Sequence, residues 1–189
     1  MRKVLIDCGG NLGQGYEDLK RRLNIDNNWD VYIFEPNKRC YDILVEKYND
    51  ENIKIINKAV FIYDGEINFY IPKNDEYSVG STIHKNFHNS VVDNLYDEYV
   101  VVESVNLSKF IDKIIDKEIY LKLDVEGSEY DIIEMMINDE TINKIEKVFV
   151  EFHNEYASTE LNEKYNLDNR KNNIIEYFNS NNIKHEIWY

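Results

Sequence analysis

Cysteine and proline are scarce, with two of each in 189 residues. Cys8 and Cys40 have no metal-type spacing and read as reduced, partly buried thiols. Glycine is also limited, at seven, and there is no repeat, low-complexity tract or linker, so one domain over residues 1–189 is the simplest organisation. No stretch reaches the roughly 18 apolar residues that cross a bilayer. Met1 to Ile6 lacks the apolar block and small-residue cleavage site of a signal peptide. Membrane insertion is not expected, and the expected compartment is the cytoplasm. Positive charge is short as well: 22 Lys and Arg face 36 Asp and Glu, a formal net charge of −14. Such a field repels nucleic acid phosphates and anionic membranes. The expected partner is a neutral or cationic small molecule.

What the chain does have is an alternation of apolar runs and helical spacing. Val4-Leu5-Ile6 reads as a strand followed by a glycine cluster, and 17–23 as a helix. Residues 31–34 form a second strand that Pro36 stops. Over 38–48 Tyr41, Leu44, Val45 and Tyr48 share a helical side, and 53–60 reads as a third strand. Asp64-Gly65 is a hairpin-turn signal inside an irregular insertion at about 61–105. Strands at 99–105, 119–125, 147–152 and 183–188 and helices at 107–115, 128–137 and 168–179 complete the pattern. Asn106 or Ser108 is the expected cap of the 107–115 helix. The rhythm predicts an α/β fold with a mostly parallel twisted sheet and helices on both faces.

Three acids fall at three strand ends. Asp7 precedes Cys8-Gly9-Gly10-Asn11-Leu12-Gly13, a turn whose glycines allow positive φ and close approach of a ligand. An acid directly before such a loop suits an amino or sulfonium group better than a phosphate. Glu35 ends the second strand, where Rossmann-like folds place a ribose-binding acid. Asp124 ends the strand in Lys122-Leu123-Asp124-Val125-Glu126-Gly127-Ser128-Glu129. Ligands of open α/β sheets sit beyond the carboxyl ends of strands, where all three acids would lie. Glu126 and Glu129 also suit a helix N-terminus.

Together, Ile6 to Gly13, Phe34-Glu35-Pro36-Asn37, Asn57-Lys58-Ala59-Val60 and Leu121 to Glu129 resemble the FkbM family of S-adenosylmethionine-dependent methyltransferases, in order and spacing over about residues 4–153. Gly80-Ser81-Thr82 and Val105-Asn106-Leu107 are similar to further landmarks, with Ser108 where the family usually has Asp. The resemblance implies a Rossmann-like class I domain and O-methyl transfer to a hydroxyl of a sugar, glycan or similar small molecule. It implies that the Gly9 to Gly13 loop holds the methionine part of the cofactor and Glu35 the ribose. The expected cofactor-binding set is Asp7, Cys8, Gly9, Gly10, Asn11, Gly13, Glu35, Pro36, Ala59 and Asp124. Family domains end in a β-hairpin, whereas here one strand is found near Tyr189. The last antiparallel strand is therefore expected to be missing or altered, leaving an edge through which a homodimer could form.

A sugar hydroxyl needs a base or a metal to react as a nucleophile. Asp124, His153 and Glu126 are the catalytic candidates. His153, at the end of the strand beside that of Asp124, has an unperturbed pKa of about 6.5. Alternatively Asp124 and His153 would ligate a divalent ion, Mg or Mn. His84 and His88 could reach over the site, whereas His185 is expected to be far from it. Lys122 and Glu151, polar residues in apolar strands, could form a buried pair. Two other readings stay open: a nicotinamide-dependent oxidoreductase, and a nucleic acid methyltransferase, against which the net charge counts.

Overall fold

The computed structural model describes residues 2–72, 80–85 and 99–188. Six strands form one sheet: β1 (Arg2–Cys8), β2 (Trp29–Phe34), β3 (Ile53–Ile56), β7 (Lys117–Leu123), β8 (Ile145–Val150) and β9 (His185–Ile187). Their order is β3-β2-β1-β7-β8-β9, and every pairing is parallel. The order reverses between β1 and β7, so a crevice opens beyond the carboxyl ends of those two strands. Three further strands, β4 (Ala59–Phe61), β5 (Gly65–Tyr70) and β6 (Tyr99–Asn106), make a small second sheet in the order β4-β6-β5.

Both faces of the main sheet are covered because its strands are apolar on both sides. Leu5, Val31, Ile33 and Phe149 pack against Tyr16 and Leu19 of α1 (Gln14–Leu23) and Leu44 of α2 (Lys38–Lys47). Val4, Ile6, Leu121, Val148 and Val150 pack on the other face. There they meet α3 (Leu107–Asp112), α4 (Glu129–Asn138) and α6 (Leu167–Ser180). A short α5 (Thr159–Tyr165) precedes α6. Side chains alternate along a strand, so β7 sends Leu121 and Leu123 to the α4 face and Tyr120 to the α1 face. Lys122, between the leucines, has its side chain against Gly15 of α1.

Three local expectations are corrected, and one open choice is decided. The 53–60 segment is two strands, because Asn57 Nδ2 donates to the carbonyls of Glu35 and Pro36, at 2.8 and 3.0 Å, and bends the chain out of the main sheet. The Asp64-Gly65 turn does not close a hairpin: β6 lies between β4 and β5 and satisfies the turn itself. Ser104 Oγ donates to the carbonyls of Tyr63 and Gly65, and Asp64 accepts from the Asn106 amide. In α2 the inward face is Cys40, Leu44 and Tyr48, while Val45 is 44% exposed. Of the two cap candidates for α3, Asn106 does the work, accepting from the Lys109 amide, while Ser108 is buried against Thr141.

Among the described residues no antiparallel strand joins the main sheet, and β9 is its edge. That edge is three residues long and carries Glu186, paired with Arg22 and with Lys147, features that blunt a strand edge. No helix among the described residues is long and apolar enough to cross a membrane.

The α2 assignment can be checked by denaturant unfolding. Leu44 is fully buried, so Leu44→Ala should cost roughly 2–5 kcal/mol. Val45→Ala should stay within about 0.5 kcal/mol of wild type. Equal losses at the two positions would mean that the helix is rotated.

Candidate active site

Glu35 and Asp124 directly follow β2 and β7, and Asp7 is the last residue but one of β1, so the three lie near the carboxyl ends of three adjacent strands. Their surroundings differ. Asp7 is fully buried, and its Oδ1 lies 3.1 Å from Lys122 Nζ without a hydrogen-bonding angle. The same ammonium donates to the Gly9 carbonyl and to Asp124 Oδ2, each at 3.2 Å. Burial opposes a charge on Lys122, but Asp7 and Asp124 outweigh it and hold the ammonium above its ordinary pKa. Asp7 is thus engaged by Lys122 within the protein. The expected Lys122–Glu151 pair does not form, because Lys122 stands opposite Asp7 in register and Glu151 lies beyond β8.

Glu35 accepts the Asn11 amide on Oε2 and the Asn37 amide on Oε1, both at 2.7 Å. It therefore ties the glycine loop to the end of β2 and caps the approach to α2. Burial raises its pKa to about 7 despite these two bonds.

The glycines are explained by protein contacts. Gly9 has φ +85°, and a Cβ there would stand 1.8 Å from the Asp124 carbonyl oxygen. A Cβ on Gly10 would meet Ile33 at 2.3 Å, and one on Gly13, also at positive φ, would meet the Tyr48 hydroxyl at 2.4 Å. The close approach that requires glycine is thus made by neighbouring strands and helices.

A cleft opens beside this loop. Gly9, Asn11, Glu35, Pro36, Ala59 and Asp124 line it, six of the expected cofactor-binding residues. Asp7, Cys8, Gly10 and Gly13 do not: Cys8 is buried in the core, and the other three are turned to the contacts just described. Phe69, Ser81, Ile83 and Ser128 also line the cavity and were not foreseen. They come from the small sheet, its following loop and the start of α4, whose placement no local pattern reveals.

Asp124 and Glu126, on the cavity wall, meet His153 from the end of β8. His153 Nε2 is 3.2 Å from Glu126 Oε2, 3.7 Å from Asp124 Oδ1 and 3.8 Å from Glu151 Oε1. Glu129, fully buried, accepts the His153 amide at 2.9 Å and lies 3.3 Å from Nδ1. Its other oxygen accepts the Gly127 amide. Burial by itself would lower the His153 pKa, but Glu129, Glu126 and Asp124 together raise it to about 10. The ordinary value expected of His153 is therefore corrected: the imidazole of the free protein is protonated at neutral pH. One ligand atom each from Asp124, Glu126 and His153 fall within 4.8 Å of one another. The two carboxylates are hard oxygen donors of the kind that hold Mg or Mn, and His153 would join them only on losing its proton.

His84 packs on Tyr165, with ring centroids 6.5 Å apart, and feels Glu129 and Asp131; burial lowers its pKa. His185 packs on Phe178. His88 lies outside the described residues.

The sequence matches the Methyltransferase FkbM domain over residues 7–180, nearly the whole chain. The chain belongs to the FkbM methyltransferase family. Since strand order 3-2-1-4-5-6 is shared with dinucleotide-binding proteins, the sheet alone could not have decided this. Among solved structures, the chain is similar to a methyltransferase FkbM from Methylobacillus flagellatus KT, at 16% identity and a TM-score of 0.45. The alignment covers 76% of this chain and 31% of that one, so the chain spans under a third of that protein's length. No curated protein matches the sequence.

Two measurements test this FkbM site. Gly9→Val should destabilise the fold by about 3 kcal/mol or more, because a β-branched residue meets both positive φ and the Asp124 carbonyl. A normal Tm for this variant would refute the loop geometry. In EDTA, the His153 ring resonances should show no titration between pH 5 and 8. A raised folded pKa adds stability that is complete below the unfolded value near 6.5 and is lost as pH rises through about 10. The destabilisation caused by His153→Gln should therefore be larger at pH 6 than at pH 10. A ring titrating near 6.5 would contradict the site as described.

Proposed function

We propose that this FkbM domain is an S-adenosylmethionine-dependent O-methyltransferase acting on a hydroxyl of a sugar, glycan or similar small molecule. The observation that carries the reading is the continuity of the Glu35-to-Asp124 cavity with the Asp124–Glu126–His153 cluster. The cavity's acid at the end of β2 suits a ribose diol. S-adenosylmethionine would supply an electrophilic methyl carbon on a sulfonium. Gly9, Asn11, Pro36, Ala59 and Asp124 would surround it and Glu35 would accept the ribose hydroxyls.

The residues of the chain have three tasks. The cavity walls orient the cofactor, and alignment of nucleophile and methyl is worth roughly 7–11 kcal/mol in favourable cases. The acids at Asp124 and Glu126 favour a cation over a neutral species, which suits a sulfonium. His153, Asp124 and Glu126 hold the acceptor hydroxyl and manage its proton. A divalent ion at the cluster would displace the proton that the neighbouring carboxylates hold on His153, and the freed Nε2 would then serve as a ligand rather than as a base. Asp124, Glu126 and His153 would bind that ion, which would act as a Lewis acid on the hydroxyl. Glu129 on the Nδ1 side leaves Nε2 directed at the cluster, as a carboxylate commonly does for a ligating histidine.

Calorimetry and mass spectrometry test the proposal. The protein should bind S-adenosylhomocysteine and not NAD, and Glu35→Ala should weaken that binding by roughly 1.5–3 kcal/mol. Binding of NAD alone would replace this reading with an oxidoreductase. Turnover on a glycan or natural-product panel should add one methyl group, stop in EDTA and return with Mg or Mn. His153→Ala should cut turnover by roughly 10²–10⁴-fold with cofactor affinity near normal. Full activity of that variant in EDTA would remove both the metal and the base.

A further inference from the structure

Between β7 and α4 the chain turns at Val125–Ser128 with positive φ at both central residues, +53° at Glu126 and +104° at Gly127. Turns of this hand favour Gly, Asn and Asp, because other L side chains enter positive φ only at a cost. Gly127 meets the demand and Glu126 does not. The turn's own closing bond, from the Ser128 amide to the Val125 carbonyl, is long at 3.4 Å. A glutamate is thus kept in a conformation that its own neighbours in sequence disfavour, and the surrounding structure must hold it there. What the conformation delivers is the Glu126 carboxylate, whose Oε2 stands 3.2 Å from His153 Nε2.

A short bond grips this turn from 44 residues away: Thr82 Oγ1 donates to the Glu126 carbonyl at 2.6 Å. The same hydroxyl accepts the His84 amide at 3.1 Å. A carbonyl only accepts and an amide only donates, so the direction of both bonds is fixed. Thr82 is itself immobilised. It is fully buried, and its backbone exchanges hydrogen bonds with Tyr70, the last residue of β5, at 2.8 and 3.1 Å. The carbonyl it grips belongs to the peptide plane between Glu126 and Gly127. Fixing that plane fixes ψ of Glu126 and φ of Gly127, the angles through which the turn would relax.

We propose that Thr82 is a positioning residue for Glu126: its hydroxyl locks the Val125–Ser128 turn and so presents the Glu126 carboxylate to His153. The inference deepens the reading of Asp124, Glu126 and His153 as the cluster that activates the acceptor, and rests on it for its bearing on catalysis. The small sheet then does more than pack, since β5 carries the latch for the cluster.

The placement of the carboxylate can be read directly. At pH 7 in EDTA, denaturant unfolding of the wild type, Glu126→Gln, His153→Gln and the double variant gives the coupling between the two side chains. It should be about 5-fold or more in the unfolding equilibrium constant. Thr82→Val keeps the shape and removes the hydroxyl, and in its background the coupling should fall below about 2-fold. Thr82→Ser keeps the hydroxyl and should keep the coupling. Mn(II) alone, titrated by calorimetry, should bind Thr82→Val about 10- to 100-fold more weakly than wild type, and Thr82→Ser nearly as well as wild type. A Thr82→Val protein with a lowered Tm but intact coupling and Mn(II) affinity overturns the proposal by making the residue merely structural. Absence of coupling in the wild type overturns it too. So does a folded Thr82→Ser without the coupling, which keeps the test decisive if Thr82→Val does not fold. Failure of the wild type to bind Mn(II) removes the metal from the reading of the cluster, and the unfolding cycle then judges the placement of Glu126 by itself.

Discussion

The buried ammonium of Lys122 holds together the parts of the structure on which the site depends. It lies within 3.2 Å of Asp124 Oδ2 and the Gly9 carbonyl, and within 3.1 Å of Asp7 Oδ1, with almost no access to solvent. One cation thereby joins the end of β1, the glycine loop and the end of β7. Removing one partner of such a group leaves a charge without compensation, at a typical cost of about 3–5 kcal/mol. Its presence also shapes its surroundings. Helix α1 carries Gly15 over the Lys122 stem, where a Cβ would stand 2.4 Å from Cε. Asp7, the most apparent acid of the glycine motif, is thereby committed to an internal ion pair and does not face the cavity.

A second cation, the imidazolium of His153, organises the opposite wall. Four carboxylates lie around it: Glu129 from beneath, and Asp124, Glu126 and Glu151 at the mouth. Asp124 belongs to both networks, with Oδ2 on Lys122 and Oδ1 toward His153. Its carboxylate is consequently oriented from both sides. This concentration of negative charge is compatible with folding because two buried cations offset part of it. The remaining excess leaves the cavity mouth with more carboxylates than cations.

Much of this was legible from residue order. The parallel sheet follows from apolar runs alternating with helical spacing, and the acids at the ends of β1, β2 and β7 follow from where those runs stop. The small sheet was not legible, because β6 enters between β4 and β5 from a segment that begins only at Tyr99, far beyond the end of β5 at Tyr70. A turn signal such as Asp64-Gly65 reports that the chain reverses; it does not report which strand takes up the freed hydrogen bonds. Residue 45 shows the same limit in a helix, since valine's character alone cannot tell a covered position from an open one.

The sequence by itself determined the fold class, the family and the line of acids along one sheet edge, because these depend on periodicity and on residue type at strand ends. Only the tertiary structure decided what each acid does. Asp7 and Glu35 both lie near a strand end beside the same glycine loop, yet one meets Lys122 and the other the amides of Asn11 and Asn37. His153 was visible as a candidate base, but its proton affinity depends on Glu129, Glu126 and Asp124, which reach it from another strand end and helix. Interaction energies of charges and hydroxyls are set by distance and burial. Neither is a property of a residue's place in the chain, and so the protonation of His153 and the hydrogen bond from Thr82 to the Glu126 carbonyl emerged only in three dimensions.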